Sequence, residues 1–439
     1  MLLRFIVENI ASFKDATEFN MFPSSESKSH DNHRIECGHA TVLRMSAIYG
    51  ANGAGKTNLI KAMDLLQSIV KEESLKKIKY YEIPFKLDAD NKDKPSGLAI
   101  EFYSNHNIFY YHIEFIGKEI TTEELLLSNQ NKDVSIFTRY GTNMDFSSNF
   151  FEKGISDEFK DLLTRMVRPD MLLLSFFGKN YPKESSVITD AYKWFNSKLQ
   201  IVLPNYKSSR TPHIFDTNSK FRDLVNNTVP ELKTGVDELI IEKKIITDTS
   251  DIKNEELIKI IREAKENPNR IFTLFFRDDA VNIVCEKGEV WMKQLVAVHK
   301  NLDGTVTKFS IPNESDGTRR LIEYMPLLYD IIQNDRFYVV DEIERSLHPI
   351  MVKAIIQKIS ESETAKGQLI FTTHESCLLD QRIFRPDEIW FAQKDVDQAT
   401  QLYPLSDYDV HKTDNIENDY LEGRYGGIPF LSNLKDLHW

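Results

Sequence analysis

Hydrophobic and polar residues alternate along the chain with two different periods, and these periods predict where strands and helices lie. An apolar run at residues 45–49 is followed by a glycine-rich turn and then by apolar residues at helical spacing over 57–70. Period-two alternation predicts antiparallel strands at about 98–102, 108–115 and 134–137. The first part of the chain is therefore expected to contain a strand, a loop, a helix and then an antiparallel lobe.

The pattern changes twice more in the rest of the chain. Apolar residues spaced three and four apart between about 150 and 265 predict a mainly helical insert. From about residue 310, helices and short apolar strands alternate, which predicts an α/β core with parallel strands. We therefore expect four parts: residues 1–85, the N-terminal part of the core; 86–148, an antiparallel β lobe; 149–268, a helical insert; and 269–439, the C-terminal part of the core.

Composition places the chain among ordinary globular proteins of two or three lobes. It has 439 residues, of which 41% are hydrophobic, with 17 Gly and 15 Pro. No apolar run approaches the ~20 residues of a membrane span, so we expect a cytoplasmic location. The three cysteines are far apart, which excludes a disulfide framework. The net charge of −12 disfavours coating of nucleic acid by the whole surface.

The glycine-rich turn matches the pattern G-x-x-x-x-G-K-[ST], and it lies between a predicted strand and a predicted helix. In that context glycines let backbone N–H groups turn towards phosphates, and the helix start adds its dipole. A glycine-rich turn with a chance lysine is the alternative, and the strand and helix on either side disfavour it. The residues expected to bind a nucleotide here are Gly50, Asn52, Gly53, Ala54, Gly55, Lys56, Thr57 and Asn58.

A second apolar run, residues 337–340, ends in Asp341 and Glu342. Behind a phosphate loop, such acids are typical of a magnesium site, with Thr57 and Asp341 on the metal and Glu342 polarising the attacking water. On its own the run could equally be a solvated strand end. The phosphate loop favours the catalytic interpretation, in which Lys56 also acts on the phosphates.

Two further motifs indicate the class of ATPase. Ser315 and Gly317 open a predicted helix about twenty residues before the acidic strand, and His374 ends the following strand. This order is that of the ABC class, in which a serine and glycine at a helix start bind the γ-phosphate held by another subunit. A histidine after the catalytic acid senses the same phosphate. Taken singly, Ser315 is typical of a helix cap and His374 of a core histidine.

The motifs together resemble the SMC- and RecF-like ABC ATPases. Within that class the chain is similar to the compact bacterial anti-phage ATPases of the RloA and AbiL type, related to PARIS AriA and Septu PtuA. The segments that carry this resemblance are residues 12–15, 48–58, 314–318, 341–349, 373–374 and 420–430. One departure is that Ser-Asp-Gly-Thr replaces the Ser-Gly-Gly-Gln of transporters.

The resemblance implies an α/β, ABC-type P-loop ATPase head that binds ATP and Mg²⁺. Two heads would sandwich two ATP molecules, with Ser315 and Gly317 supplied by the partner chain. It further implies a sensor or regulator of an anti-phage system that holds a separately encoded effector, a nuclease, with a phage component or DNA as the trigger. No membrane partner is expected.

Two other functions stay open at this point. One is a DNA-repair or DNA-clamp ATPase, which the net charge and the absence of sustained heptads disfavour. The other is a nuclease acting within the same chain, because acidic pairs such as Asp88/Asp90 and Asp395/Asp397 could hold metal. Only about 65 residues follow His374, which is too few for a separate Toprim domain.

Two polar clusters receive a structural interpretation. His30, His33, Cys37 and His39 lie in a polar segment that we interpret as a solvated loop rather than a metal site. The adjacent Arg319 and Arg320 are interpreted as a solvated helix face.

Overall fold

A computed structural model gives the fold, and it divides the chain into two compact units. The first unit comprises Met1–Pro204, Gln333–Ile343 and Ile356–Trp439, and the second comprises Asn205–Ile332 and Glu344–Ile355. The residues that the structure describes are 1–27, 29–78, 84–148, 150, 156–247, 255–268, 270–276, 279–411 and 414–428.

The strands are numbered in chain order. They are β1 Leu2–Glu8, β2 Thr17–Asn20, β3 Arg34–Cys37, β4 Ala40–Leu43, β5 Met45–Gly50, β6 Ser96–Ser104, β7 Asn107–Ile116, β8 Glu119–Ser128, β9 Val134–Tyr140, β10 Asn143–Phe146, β11 Leu199–Val202, β12 Glu238–Ile245, β13 Phe272–Phe276, β14 Asp279–Glu286, β15 Glu289–Lys300, β16 Val306–Ser310, β17 Phe337–Val340, β18 Gln368–Thr372, β19 Ile389–Lys394 and β20 Thr400–Pro404.

The α-helices are numbered in the same way. They are α1 Lys56–Glu72, α2 Asp157–Met166, α3 Leu173–Asn180, α4 Ser186–Lys193, α5 Thr211–Thr217, α6 Ser219–Glu231, α7 Glu255–Glu266, α8 Asp316–Gln333, α9 Pro349–Ser360 and α10 Ile416–Leu421. Among the described residues, none of these helices combines the length and the apolar character that crossing a membrane would require.

The core of the first unit is a six-stranded sheet in the order β11-β17-β18-β5-β19-β20. Its first five strands are parallel and β20 is antiparallel to β19. Strands β5, β17 and β18 are buried along their whole length, as expected for parallel strands covered on both faces. Ile48 and Trp390 share one hydrophobic cluster with Leu59 and Met63 of α1, so this helix covers one face.

The first unit also contains a seven-stranded antiparallel sheet in the order β10-β9-β8-β7-β6-β1-β2. The buried side chain of Gln368 joins the two sheets. Its Nε2 donates to the carbonyls of Leu2 and Leu43, and its Oε1 accepts from the amide of Leu2 at 2.7 Å. The start of β18 is thereby fixed to β1 by hydrogen bonds at both ends of one amide.

The second unit contains its own antiparallel sheet, in the order β12-β15-β14-β13 with β16 paired to β15. Helix α7 covers part of this sheet, because Ile261 and Ala264 pack with Phe272, Leu274 and Ile283 in a separate hydrophobic cluster. Helix α8, which begins at the predicted Ser-Asp-Gly motif, also belongs to this unit.

The predicted fold class, α/β with an antiparallel β lobe, is confirmed by these sheets. The expected boundaries differ from the structure in three places. Strands β1 and β2 pair within the antiparallel lobe, β11 of the expected insert (149–268) joins the core sheet, and β13–β16 of the expected C-terminal core (269–439) pair with β12. Short strands find partners distant in sequence, and local periodicity carries no information about that pairing.

The interpretation of the histidine-rich segment as a solvated loop is wrong for two residues. His33 and Cys37 are fully buried, and the segment forms the β3–β4 hairpin. The His33 ring bonds the Glu388 carboxylate at 2.9 Å and the Ser360 carbonyl at 3.0 Å. His33 therefore closes a buried polar contact, and the described residues contain no group of three or more His, Cys, Asp or Glu side chains that could hold a metal ion.

Candidate functional site

The loop between β5 and α1 has the conformation that its glycines allow. Gly50, Gly53 and Gly55 have φ values of 154°, 80° and 109°, a region that other residues rarely adopt. The Lys56 Nζ donates to the carbonyls of Gly50 and Ala51 at 2.7 and 3.2 Å. The lysine therefore lies folded back over the loop, at the start of α1, with its ammonium group against the loop backbone.

Close packing against the loop explains two of the glycines. A methyl group on Gly50 would lie 2.4 Å from the Ala392 carbonyl oxygen, and one on Gly55 would lie 2.0 Å from the Thr400 Oγ1. A methyl group on Gly53, by contrast, would meet nothing within 4 Å. Gly50 and Gly55 are thus required by neighbouring atoms as well as by backbone angle, whereas Gly53 is required by angle alone.

A hydrogen-bond network that includes two hydroxyl groups supports the loop. Thr400 Oγ1 lies 2.9 Å from the Ala54 carbonyl oxygen and 2.8 Å from the Ser12 Oγ, within hydrogen-bond distance of both. Asn58 Nδ2 donates to the same Ser12 oxygen at 2.8 Å. Ser12 and Asn58 belong to segments that the sequence resemblance singled out. Thr400 was missed, because no local motif marks a threonine at the start of an antiparallel edge strand.

Asp341 lies at the end of β17 and is fully buried. Its Oδ1 accepts hydrogen bonds from Thr57 at 3.2 Å and from Thr372 at 2.6 Å. Its Oδ2 is also buried but has no hydrogen-bond partner in the structure. The predicted metal pair, Thr57 and Asp341, is thus brought into contact across 284 residues of sequence.

Thr372 organises the backbone of the acidic motif from the neighbouring strand β18. Its hydroxyl accepts from the amide of Glu342 at 2.8 Å, and its carbonyl accepts from the amide of Ile343 at 3.1 Å. Glu342 has a φ of 50°, a left-handed conformation that costs a non-glycine residue about 1–3 kcal/mol. Thr372 was not predicted as a site residue, although it stands two positions before His374.

His374 lies just beyond β18, and its side chain is exposed. The amide of the preceding Thr373 donates to the Ile48 carbonyl of β5 at 3.1 Å. Since β17, β18 and β5 are adjacent parallel strands, their carboxyl ends carry Asp341 and Glu342, His374 and the glycine-rich loop at one edge. Ligand sites of open α/β sheets lie at such an edge.

Ser315 and Gly317 lie in the second unit, at the start of α8. The Ser315 Oγ accepts from the amide of Thr318 at 3.1 Å, so it acts as a helix cap in this structure. Ser315 is exposed. A methyl group on Gly317 would lie 2.9 Å from the Ser346 carbonyl oxygen, so the glycine allows a close approach of two backbone segments.

The expectation of a solvated Arg319–Arg320 pair is wrong for Arg320. Its side chain is 5% exposed, and its guanidinium lies 4.5 Å from the centre of the Tyr324 ring. Arg319 forms a surface ion pair with Asp316. The helical spacing alternates the two arginines between the buried and exposed faces of α8.

A lysine binds one carboxylate in each of two acidic pairs considered for a nuclease. The Lys14 Nζ lies 3.0 Å from an Asp88 oxygen and 2.9 Å from an Asp397 oxygen. Hydrogen bonding to Asp397 and Asp88 raises the pKa of Lys14, and the bond from Lys14 lowers the pKa of Asp88. Asp88 and Asp397 therefore belong to a surface ion-pair bridge that starts from Lys14 in the turn at residues 12–15.

The residues at the sheet edge fit a magnesium ion bound together with a phosphate ligand. A buried carboxylate oxygen without a hydrogen-bond partner is rare in proteins and is best satisfied by a cation. Thr57 supplies a hydroxyl within 3.2 Å of the same carboxylate. Mg²⁺ typically takes one or two protein oxygens and fills its shell with water and substrate phosphates, which agrees with the absence of a larger acidic cluster among the described residues.

Comparison with known protein families gives a match over residues 45–380, which is more than half of the chain. The matching model is described as an AAA domain, putative AbiEii toxin, Type IV toxin–antitoxin system. The chain belongs to this family. The match spans the glycine-rich loop, the acidic motif and His374, so this AAA domain contains the whole sheet edge described above. No curated protein matches the sequence.

Solved structures similar to this AAA domain include three heads of SMC proteins. The SMC head domain from Thermotoga maritima matches with a TM-score of 0.37 at 11% identity, covering 92% of this chain and 98% of that one. An SMC head bound to the C-terminal winged-helix domain of ScpA gives 0.41 at 13%, covering 92% and 97%. A head with an extended coiled coil bound to the ScpA C-terminal domain, from Pyrococcus furiosus, gives 0.37 at 14%, covering 92% and 96%.

Gly55→Ala should destabilise the first unit more than Gly53→Ala does. A left-handed alanine costs about 1–2 kcal/mol at either position, and at Gly55 the methyl group also displaces Thr400, which adds an overpacking cost of about 1–3 kcal/mol. Urea denaturation of both variants measures the difference. Equal losses in the two variants would show that the Thr400 network does not restrain the loop.

Proposed function

We propose that the protein is a Mg²⁺-dependent ATPase whose nucleotide site is the sheet edge built from the glycine-rich loop and the acidic motif. The observation that carries the proposal is the buried Oδ2 of Asp341, which has no hydrogen-bond partner in the structure, while Oδ1 of the same carboxylate accepts from the Thr57 hydroxyl. A carboxylate in that position holds a cation, and a loop of N–H groups in front of it holds an anion. A nucleoside triphosphate with its metal supplies both.

Each residue of the chain then has a separate task. Amides of the loop and the Lys56 ammonium hold the β- and γ-phosphates, for which the lysine exchanges its two carbonyl partners for phosphate oxygens. Thr57 and Asp341 hold Mg²⁺, which neutralises phosphate charge when bound. Glu342 accepts the proton of the attacking water, and its strained backbone is held by Thr372. His374, exposed at the same edge, contacts the γ-phosphate.

Lys56→Ala tests this assignment directly. The variant should lose ATP binding, with at least a tenfold rise in Kd, because the alanine cannot supply the charge that pairs with the phosphates. Titration calorimetry with Mg²⁺ and a non-hydrolysable ATP analogue measures it. Lys61→Ala, an exposed lysine on the same helix, serves as the matched control and should bind normally. Wild-type affinity in Lys56→Ala would place the nucleotide elsewhere.

We also propose that two chains pair around two ATP molecules, with Ser315 and Gly317 of one chain facing the γ-phosphate bound to the other. Ser315 is exposed at the N-terminus of an 18-residue helix, where backbone N–H groups and the helix dipole favour a phosphate. The SMC- and RecF-like order of motifs supports the same arrangement. ATP binding would then close the pair and hydrolysis would open it.

Glu342→Gln should separate binding from turnover. The amide cannot accept a proton from water but leaves Lys56, Thr57 and Asp341 in place, so ATP affinity should stay within about threefold of wild type while kcat falls by at least a hundredfold. The unhydrolysed nucleotide should hold the protein as a dimer in light scattering. Glu344→Gln is the matched control, and it should leave the rate nearly unchanged.

Ser315→Arg, added to the Glu342→Gln chain, checks the pairing. Bulk and charge at the helix start should block ATP-dependent dimerisation while ATP still binds, because the phosphate loop is untouched. A dimer that forms normally in this double variant would show that Ser315 is only the cap of α8.

For the biological role, we propose a switch within an anti-phage or toxin–antitoxin system that acts through a separately encoded effector nuclease. The family's description as a putative toxin of a Type IV toxin–antitoxin system supports this setting, as does the resemblance to anti-phage ATPases. Within the acidic pairs considered for a nuclease centre, Asp88 and Asp397 are ion-paired with Lys14.

Purification from its native operon should therefore bring down a second protein, and Lys56→Ala should change the amount recovered, because nucleotide sets the state of the switch. Quantitative mass spectrometry of tagged wild type and variant measures this. The effector proposal fails if the isolated chain alone produces the whole cellular phenotype or cuts nucleic acid. DNA-stimulated ATPase activity in the purified chain would instead favour a DNA-acting ATPase.

A further inference from the structure

Six aromatic side chains cover the face of the core sheet opposite α1, next to the glycine-rich loop. Tyr49, Phe391 and Tyr403 are register partners on β5, β19 and β20, so they share that face. Tyr420 and Tyr425 stack nearly parallel on Phe391, with ring centres 5.6 and 5.9 Å away. The sixth ring, Tyr408, packs against Tyr403 and Tyr425. Two of these rings, Tyr420 and Tyr425, belong to the C-terminal segment, residues 414–428, which is thus docked on the sheet that carries the site.

Hydrogen bonds fix the position of the docked segment. The hydroxyl of Tyr403 donates to the Tyr425 carbonyl at 2.9 Å, and the Tyr425 hydroxyl donates to Asp419 at 3.0 Å. Burial raises the pKa of Tyr403 and Tyr420, and raises the pKa of Tyr425 to about 12. The raised pKa values keep these phenols protonated, so Tyr403 and Tyr425 can donate the two hydrogen bonds described above.

One end of the C-terminal segment packs against the phosphate loop. Gly426 and Gly427 both have a φ of 68°, and a methyl group on Gly426 would lie 2.4 Å from the Gln393 side-chain oxygen. The amide of Gly427 donates to that oxygen at 3.2 Å. A methyl group on Gly427 would lie 3.7 Å from the Cα of Gly50. The two glycines thus bring the segment's backbone against the first glycine of the phosphate loop.

The other end of the segment holds the loop that follows His374. Ser376, two residues after His374, donates to the Glu417 carboxylate at 2.8 Å. Further along the same loop, Gln381 donates to the carbonyls of His411 and Asp414 at 2.8 and 3.3 Å. The segment therefore contacts the loop carrying His374 at its start and the phosphate loop at its end.

We propose that the C-terminal segment positions the His374 loop relative to the phosphate loop, and that Glu417 is the positioning residue that acts on His374 through Ser376. The inference rests on the proposed ATP site. A histidine that recognises the γ-phosphate must stand at a fixed distance from the phosphate loop. A segment that is hydrogen-bonded to the His374 loop and packed beside Gly50 of the phosphate loop sets that distance. The preference for ATP over ADP then depends on Glu417, which touches no nucleotide.

Glu417→Ala in the full-length protein tests the inference. Affinities for ADP and for a non-hydrolysable ATP analogue, both with Mg²⁺, are measured by titration calorimetry. We expect the preference for the triphosphate to fall about three- to tenfold, the range for losing one ordinary hydrogen bond, while the ADP affinity stays unchanged. A general loss of structure would lower both affinities and the Tm together. The ratio of the ATP-analogue affinity to the ADP affinity therefore reports how His374 is positioned.

Two matched variants sharpen the test. Glu417→Gln keeps an oxygen that accepts from Ser376 and should restore the wild-type preference. Glu422→Ala removes an exposed carboxylate of the same segment and should leave the preference unchanged. Ser376→Ala should reproduce the loss, and the Ser376→Ala/Glu417→Ala double variant should lose no more than either single change, because both remove one bond.

The outcomes are distinguishable. An unchanged ratio in Glu417→Ala, or an equal fall in Glu422→Ala, would overturn the positioning role while leaving the ATP site intact. Additive losses in the double variant would also overturn it, since the two residues would then act separately. A wild-type protein that binds neither nucleotide would overturn the proposed function, and this inference with it.

Discussion

The hydrogen bond from Thr372 to Asp341 is the contact on which the arrangement of the candidate site depends. It is 2.6 Å long and lies between two fully buried residues at the ends of adjacent parallel strands. An ionised carboxylate buried at a sheet edge is costly unless its oxygens are satisfied. Thr372 and Thr57 satisfy one oxygen, and the other oxygen has no hydrogen-bond partner in the structure. The contact between Thr372 and Asp341 forms because β17 and β18 are adjacent parallel strands that end together.

The same threonine links that charge to the geometry of the neighbouring acid. By accepting from the amide of Glu342, Thr372 helps maintain a left-handed residue that would otherwise relax. Strain of this kind persists where surrounding structure over-determines the backbone, and here two hydrogen bonds to a buried strand do so. The proposed metal site and the backbone of the proposed catalytic acid therefore both depend on one side chain of β18.

The sequence predicted those parts of the site whose chemistry is local. Gly50 to Thr57 reads as a phosphate loop because backbone angle, charge and helix start all fall within eight residues. Asp341 and Glu342 follow an apolar strand whose predicted bounds, residues 337–340, agree with β17. Thr372 and Thr400 could not be predicted, because their roles come from strand order and from an antiparallel edge strand closing on the loop. The burial of His33 escaped prediction for the same reason, since its partner Glu388 is 355 residues away.

The C-terminal segment shows how far such long-range contacts extend the site. The segment 420–430, which begins with the motif Tyr-Leu-x-Gly-Arg-Tyr-Gly-Gly, has no obvious chemistry in sequence. Its last two residues, 429 and 430, lie outside the part of the chain that the structure describes. In the fold its tyrosines stack on Phe391, its glycines pass Gly50, and Glu417 holds the loop after His374. A phosphate site needs a fixed distance between the phosphate loop and the loop that follows His374, and these two loops follow different strands of the sheet. A segment that is hydrogen-bonded to the His374 loop and packed against Gly50 of the phosphate loop restrains that distance. This gives a physical reason for glycines and tyrosines so far from the phosphate-binding motif.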